Sequence, residues 1–150
     1  MTDDDLPFVA RLFASTRADE VAATGWPPEA QSAFLDQQHR AQHRHYRHAY
    51  PEGQWLIVER GADAIGRLYL ADAATEIHLI DISLVAQERG KGLGGAILAD
   101  LLAHATALGK GIELYVESFN PAQSLYLRLG FTTVEDSGIY QRMIWRAPQS

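Results

Sequence analysis

The chain has 150 residues, the length of one domain with a sizeable core, and at 47% apolar and 21% charged it has the balance of a globular protein. Its formal net charge of −6 argues against non-specific nucleic-acid binding, which needs a basic surface, and the lack of cysteine excludes disulfides and thiolate metal sites. The opening MTDDDLPF is acidic where a signal peptide is basic, and no apolar run approaches the roughly 18 residues of a membrane span. A reducing, cytoplasmic location with no membrane partner is therefore expected.

TDDDLPFVARLFASTRADE predicts a first helix, with Thr2 or Asp3 as its cap, acids in its first turn and Phe8, Leu12 and Phe13 on one side. GWPPEAQ breaks it at two successive prolines, and a second helix runs from Pro28 to His48, ending near Pro51. Within that helix HRAQHRHYRH sets His39 and His43 four apart, the spacing of two metal ligands on one face. No third ligand accompanies them. The competing reading is a solvated basic face on a helix whose Leu35, Tyr46 and Ala49 touch the core.

QWLIVER and AIGRLYLAD predict a β-hairpin turning near Gly61. EIHLIDISLV is apolar on both faces, as a central strand is. Regular alternation along it would place Glu76, His78, Ile80 and Ile82 on one face and Ile77, Leu79 and Asp81 on the other. RGKGLGG (89–95) then leads into Leu93, Ile97, Leu101, Leu102, Ala105 and Leu108 at helical spacing, and GKG stops that helix. IELYVES is a strand, PAQSLYLRLG a helix with Pro121 at its start and Gly130 past its end, and FTTVED pairs with IYQRMIWR around Ser137-Gly138. With no repeat or linker, residues 1–150 make a single α/β or α+β domain with one central parallel crossover.

The glycines decide what the crossover is for. Gly90, Gly92 and Gly95 spell G-x-G-x-x-G, the dinucleotide fingerprint, but AQER separates them from the strand and only one βαβ unit is present, where a dinucleotide fold needs two halves. Glycines at a helix N-terminus still suit an anion, because unpaired N–H groups and the positive dipole end point at it. A turn that only lets the helix pack close to the sheet would leave Arg89 and Lys91 without a purpose.

Arg89-Gly90-Lys91-Gly92-Leu93-Gly94, after a strand and opening a helix, resembles the acetyl-CoA signature Q/R-x-x-G-x-G/A of the GNAT N-acetyltransferase family. NPAQSLYLRLGF resembles the family's N-x-x-A-x-x-L-Y-x-x-L-G-F segment one strand later. The resemblance implies a mixed, mostly antiparallel sheet with helices on both faces, acetyl-CoA as cosubstrate, an amine acceptor, no metal, and a monomer or homodimer. It further implies that the amides of Gly90 to Gly94, Leu93 among them, hold a pyrophosphate with Arg89 and Lys91 adding positive field. Main-chain groups of Ile82 and Leu84 would pair with the pantetheine arm, with the Ile82 amide on the thioester oxygen, and Asn120 would contact the arm. Tyr126 would deliver a proton to the departing thiolate.

Attack of an amine on a thioester also needs a base, since an alkyl ammonium has a pKa near 10. His78 is the candidate for that base, histidine being the side chain suited to proton transfer near neutral pH; a histidine bonded at the sheet surface is the competing reading. Asp81 and Glu117 remain open as acids that orient the acceptor. Trp26 and Tyr46 could form an aromatic wall of the acceptor site, with Arg40 or Arg44 as a carboxylate contact. An acyl-CoA-binding module without transferase activity is the alternative function. The family's short strand before the first helix has no counterpart after Thr2, so the hairpin strand from Gln54 to Arg60 is expected at an exposed edge. Either an upstream segment or a partner would then cover it.

Overall fold

The computed structural model describes residues 1–147. A single 3-10 turn (Asp3–Asp5) leads into helix α1 (Leu6–Ala22), its entry held by the Thr2 N–H donating to Asp5 Oδ2 at 2.8 Å. Helix α2 (Pro28–Ala49) starts on a proline, which has no N–H to leave unpaired, and stops before Pro51. Strands β1 (Gln54–Arg60) and β2 (Asp63–Asp72) form the expected hairpin, with Gly61 taking the positive φ (60°) its two-residue turn needs. The central strand is β3 (Glu76–Leu84), followed by helix α3 (Leu93–Leu108), β4 (Gly111–Glu117), helix α4 (Ala122–Arg128), β5 (Thr132–Asp136) and β6 (Tyr140–Trp145).

Among the described residues six strands lie in the order β1-β2-β3-β4-β6-β5, and only β3 and β4 run parallel, joined by α3 as the crossover. Strand β1 is one edge and β5 the other. Helices α3 and α4 cover one face, where Leu98, Leu101, Ala105 and Tyr126 pack on Ile77, Leu79, Ile112, Leu114 and Met143. Helices α1 and α2 cover the other face over β1–β3, where Val9 packs with Trp55 and Tyr69, flanked by Phe8, Tyr46 and Ile80. The mixed, mostly antiparallel sheet with helices on both faces is thus the observed fold.

Strand β3 departs from regular alternation. Against β2 its register runs Ile82↔Leu68 and Asp81↔Tyr69, then jumps to Leu79↔Leu70, so Ile80 is an extra residue in a β-bulge. The bulge flips parity. Asp81 faces the α1/α2 side with His78, bonded to Arg67 and near Tyr46, while Ile82 faces the α3/α4 side with Leu79. The expectation that His78 and Ile82 share a face and Asp81 lies opposite is therefore corrected.

Beyond the bulge the sheet opens. Strands β3 and β4 are in register only from Glu76↔Gly111 to Leu79↔Leu114. Residues 81–84 stay with β2 while 115–117 stay with β6, so a wedge separates them in mid-sheet.

Helix α2 also differs from expectation. Its buried residue is His39, at 6% exposure, packed 5.7 Å from the Phe13 ring and stacked on His43, whereas Ala49 is exposed. No group of three metal-ligating side chains occurs among the described residues. Instead, His39 Nε2 is buried with no hydrogen-bond partner among the described residues. Burial, then the charges of Arg67 and His43, lowers its pKa against a smaller pull from Asp36. Burial and Arg47 lower that of His43, opposed by Asp3. A histidine whose folded pKa is depressed is neutral in both states at high pH. Stability falls once pH drops below the unfolded value near 6.5, where the unfolded chain takes up protons first. His39→Leu should therefore flatten the loss of melting temperature between pH 7.5 and 5.5, with only the His43 share remaining. An unchanged slope by calorimetry would remove His39 from this role.

Candidate active site

The glycine loop meets the wedge at its open end. Gly90 and Gly92 take φ values of 76° and 78°, a left-handed conformation that other residues rarely adopt, and Gly92 caps α3. A Cβ built at Gly90, Gly92 or Gly94 would meet nothing within 4 Å. These glycines thus do not serve close packing, and the loop stands in open space at a helix N-terminus. Gly95 is different: its Cβ would lie 3.7 Å from Leu125, which lets α3 pack against α4. Lys91 is exposed beside the loop. Arg89 is turned back, donating from Nε to the Leu84 carbonyl at 2.9 Å and reaching Ser15 of α1. It braces the loop against β3 and α1.

Which main-chain groups of β3 face the wedge follows from one bond. The Val85 N–H donates to the Ile65 carbonyl at 2.8 Å, in the register that pairs Gly66 with Leu84 and Leu68 with Ile82. Bonded and non-bonded pairs alternate in an antiparallel ladder, so Ser83 bonds to β2 while Ile82 and Leu84 turn their N–H and C=O into the wedge. The Leu84 carbonyl already accepts from Arg89; the Ile82 N–H and C=O have no such side-chain partner among the described residues.

Tyr126, on α4, belongs to the core cluster against which Ile82 packs. It is buried, its ring 5.6 Å from Phe131, and no hydrogen bond to a described residue uses its hydroxyl. Burial, then the negative charges of Asp81 and Glu117, pushes its pKa up to about 12. Asp81 and Glu117 stand on the two strands that part at the wedge, and both charges act on the Tyr126 hydroxyl. Glu117 ends β4 and accepts from Asn120 Nδ2 at 2.9 Å, while Asn120 Oδ1 accepts the Ala122 N–H and starts α4. Asp81 accepts from buried Arg67 at 2.7 Å and from Ser83 Oγ at 2.7 Å, and Arg67 also reaches Gln42 of α2. Both Asp81 oxygens are thus engaged, in a network that ties the bulge to α2.

His78 sits where the paired part of β3 and β4 ends, on the α1/α2 face. Its Nδ1 lies 3.1 Å from Glu113 Oε1 and its Nε2 3.1 Å from the Tyr50 hydroxyl, whose ring stacks on it. With the Glu113 carboxylate accepting from Nδ1–H, Nε2 is the acceptor for Tyr50. Burial works against the Glu113 charge, but hydrogen bonds from Arg142 (2.6 Å) and from His78 outweigh it and hold its pKa low. This Tyr50–His78–Glu113–Arg142 chain links the residue that caps α2 with β3, β4 and β6. Of its members only His78 stands out in the sequence.

The aromatic wall is not formed. Trp26 precedes α2 and packs edge-on against Phe34, whereas Tyr46 is in the last turns of that helix against Trp55 and Tyr69. About 18 residues of helix, or roughly 27 Å, lie between them. Tyr46 packs on Tyr69, the β2 residue opposite Asp81; Trp26 does not join it. Arg40 pairs with Asp36 at 2.7 Å and, with Arg44, His39 and His43, lines a cleft of about 390 Å³ between α1 and α2.

Residues 18–147 match the family model of the acetyltransferase (GNAT) domain. The chain belongs to the GNAT acetyltransferase family. Among curated proteins it is 33% identical over 99 residues to a mycothiol acetyltransferase of Streptomyces bingchenggensis, covering 61% of this chain and 30% of that one. A mycothiol acetyltransferase of Corynebacterium glutamicum strain R is 31% identical over 96 residues, covering 62% and 33%. The chain thus spans about a third of the length of these curated relatives. Among solved structures, PH1933 from Pyrococcus horikoshii superposes with a TM-score of 0.76 at 20% identity, over 99% of this chain and 94% of that one. A PaiA N-acetyltransferase from Thermoplasma acidophilum in complex with coenzyme A gives 0.72 at 16% identity, over 98% and 96%. At these identities the structural likeness is one of fold. No helix among the described residues is long and apolar enough to cross a membrane.

Proposed function

We propose that the chain transfers the acetyl group of acetyl-CoA to a primary amine by direct attack in a ternary complex. The observation that carries this reading is the wedge itself. One wall offers unpaired main-chain groups at Ile82, an open glycine loop lies at its mouth, and a protonated tyrosine of α4 belongs to the core against which Ile82 packs. The acetyltransferase names of the relatives and the coenzyme A complex of a fold neighbour support it.

In this reading the amides of Gly90 to Gly94, with Leu93 between them, hold the pyrophosphate, and exposed Lys91 adds charge. The pantetheine arm extends the sheet as a strand along Ile82 and Leu84, with Asn120 at its side. The Ile82 N–H donates to the thioester oxygen as charge develops there. The amine nitrogen bonds to the carbonyl carbon, the C–S bond breaks, and Tyr126 gives its proton to the sulfur. Because α3, α4 and the loop occupy one face of the sheet, the acceptor approaches from the other, where Asp81 and His78 lie. His78 takes the amine proton through the Tyr50 hydroxyl that occupies its Nε2, and Glu113 stabilises the resulting imidazolium. Free thiol released from acetyl-CoA in the presence of a mixed amine panel tests this function. Tight acetyl-CoA binding without thiol release would instead identify a binding module.

A further inference from the structure

The face of the sheet opposite α3 and α4 is covered by α1 and α2 over β1–β3, but over β4 and β6 it stays open. Tyr115 and Tyr140 project from it at 55% and 51% exposure, with Arg142 and Glu117 as their direct cross-strand neighbours, and Phe119 and Ile139 stand at its rim at 82% and 67%. The register fixes how the patch is built. Glu117 is directly opposite Tyr140, and Tyr115 is two residues before Glu117 on the same face. The Ser118 N–H bonds the Ile139 carbonyl at 2.9 Å, so the loop bearing Phe119 and the hairpin bearing Ile139 are held together. The inner end of the patch is the His78 ring, 5.8 Å from that of Tyr115.

Charge on this face is one-sided. Glu113 and Glu135 are paired with Arg142, whose guanidinium they share, whereas among the described residues the Glu117 carboxylate meets only the neutral amide of Asn120, through one oxygen. Two exposed phenol rings flanking an uncompensated carboxylate make a seat for a cation, which gains from the carboxylate and from the ring faces. An anion there would meet the Glu117 carboxylate, since Asp81 is already paired with Arg67 and Arg142 with Glu113.

We propose that this patch is the acceptor subsite and selects a primary ammonium carried on an aryl or other apolar body, with Tyr115 and Tyr140 holding the body and Glu117 the charge. The proposal rests on the transfer reading above, but it is tested by binding alone. Calorimetry on the coenzyme A-saturated protein should give phenethylamine at least tenfold tighter than either phenylacetate or glucosamine. Tyr115→Ala/Tyr140→Ala should lose about tenfold for phenethylamine with coenzyme A affinity unchanged. Glu117→Gln should remove most of the preference over phenylacetate. Equal affinity for the three probes, or a double variant that binds phenethylamine as well as the parent, would overturn the subsite. So would a dimer that falls apart in the double variant while phenethylamine binding persists, since a second copy would then own the patch. Thiol release is read separately. Its absence with every amine defeats the transfer reading while phenethylamine binding stands, and efficient transfer to glucosamine alone leaves transfer intact and defeats the subsite.

Discussion

Gly94→Glu should weaken acetyl-CoA binding by roughly two orders of magnitude while leaving the fold as stable as the parent, or slightly more so. The position separates the two effects. Gly94 lies in the first turn of α3 without a positive φ, and a Cβ there meets nothing within 4 Å. Replacing a helical glycine removes an entropic penalty of about 1 kcal/mol, and a carboxylate near a helix N-terminus is itself favourable. Toward a pyrophosphate seated on the same amides the carboxylate acts in the opposite sense. At about 5 Å and an effective dielectric near 20, each pair of like charges costs about 3 kcal/mol, or roughly 100-fold in affinity. Gly92 would be a poorer probe, because its φ of 78° strains any side chain and would mix folding with binding. Gly94→Ala supplies the control, adding the Cβ without the charge. Undiminished acetyl-CoA affinity for Gly94→Glu in calorimetry, at equal or higher melting temperature, would remove the loop from the site.

The sequence made the order of elements legible because its punctuation is strong. Prolines mark the start of α2 and the approach to α4, positive-φ glycines sit at both ends of α3, and Gly130 follows α4. The bulge in β3 was less visible, yet it leaves a trace. Polar residues fall at 76 and 78, then at 81 and 83, so the polar parity switches between His78 and Asp81, where the extra residue lies. His39 was also within reach, since Leu35, His39, Gln42 and Tyr46 follow helical spacing along one stripe, and a histidine on that stripe belongs inside. Other features had no local signal. The pairing of His78 with Glu113 depends on the parallel register, and that of Glu113 with Arg142 on the β4–β6 register; neither partner is recognisable from its neighbours. The separation of Trp26 from Tyr46 follows from the length of α2, which was legible, but two aromatic residues near helix ends say nothing of a shared wall until that length is applied.

Tyr126→Phe should lower turnover by roughly 10²–10⁴-fold, the range for losing a positioned acid, with acetyl-CoA affinity and melting temperature nearly unchanged. Phenylalanine keeps the ring that packs on Phe131 in the core shared with Leu98 and Leu114, so the substitution removes one oxygen and no packing. The effect should fall on kcat more than on KM, because the hydroxyl matters only as charge builds on sulfur. Its raised pKa decides the pH profile. Burial and the two nearby acids push Tyr126 up to about 12, so it remains protonated across the working range. Raising the pH from 7 to 10 should not depress the parent's kcat through this group, as an unshifted tyrosine with a pKa near 10 would. A base limb at lower pH belongs to the amine and its base, and should survive in Tyr126→Phe with an unchanged midpoint. A variant within a factor of two of the parent in single-turnover thiol release would mean that Tyr126 only packs against the sheet. The leaving sulfur would then draw its proton from water entering the wedge between Ile82 and Glu117.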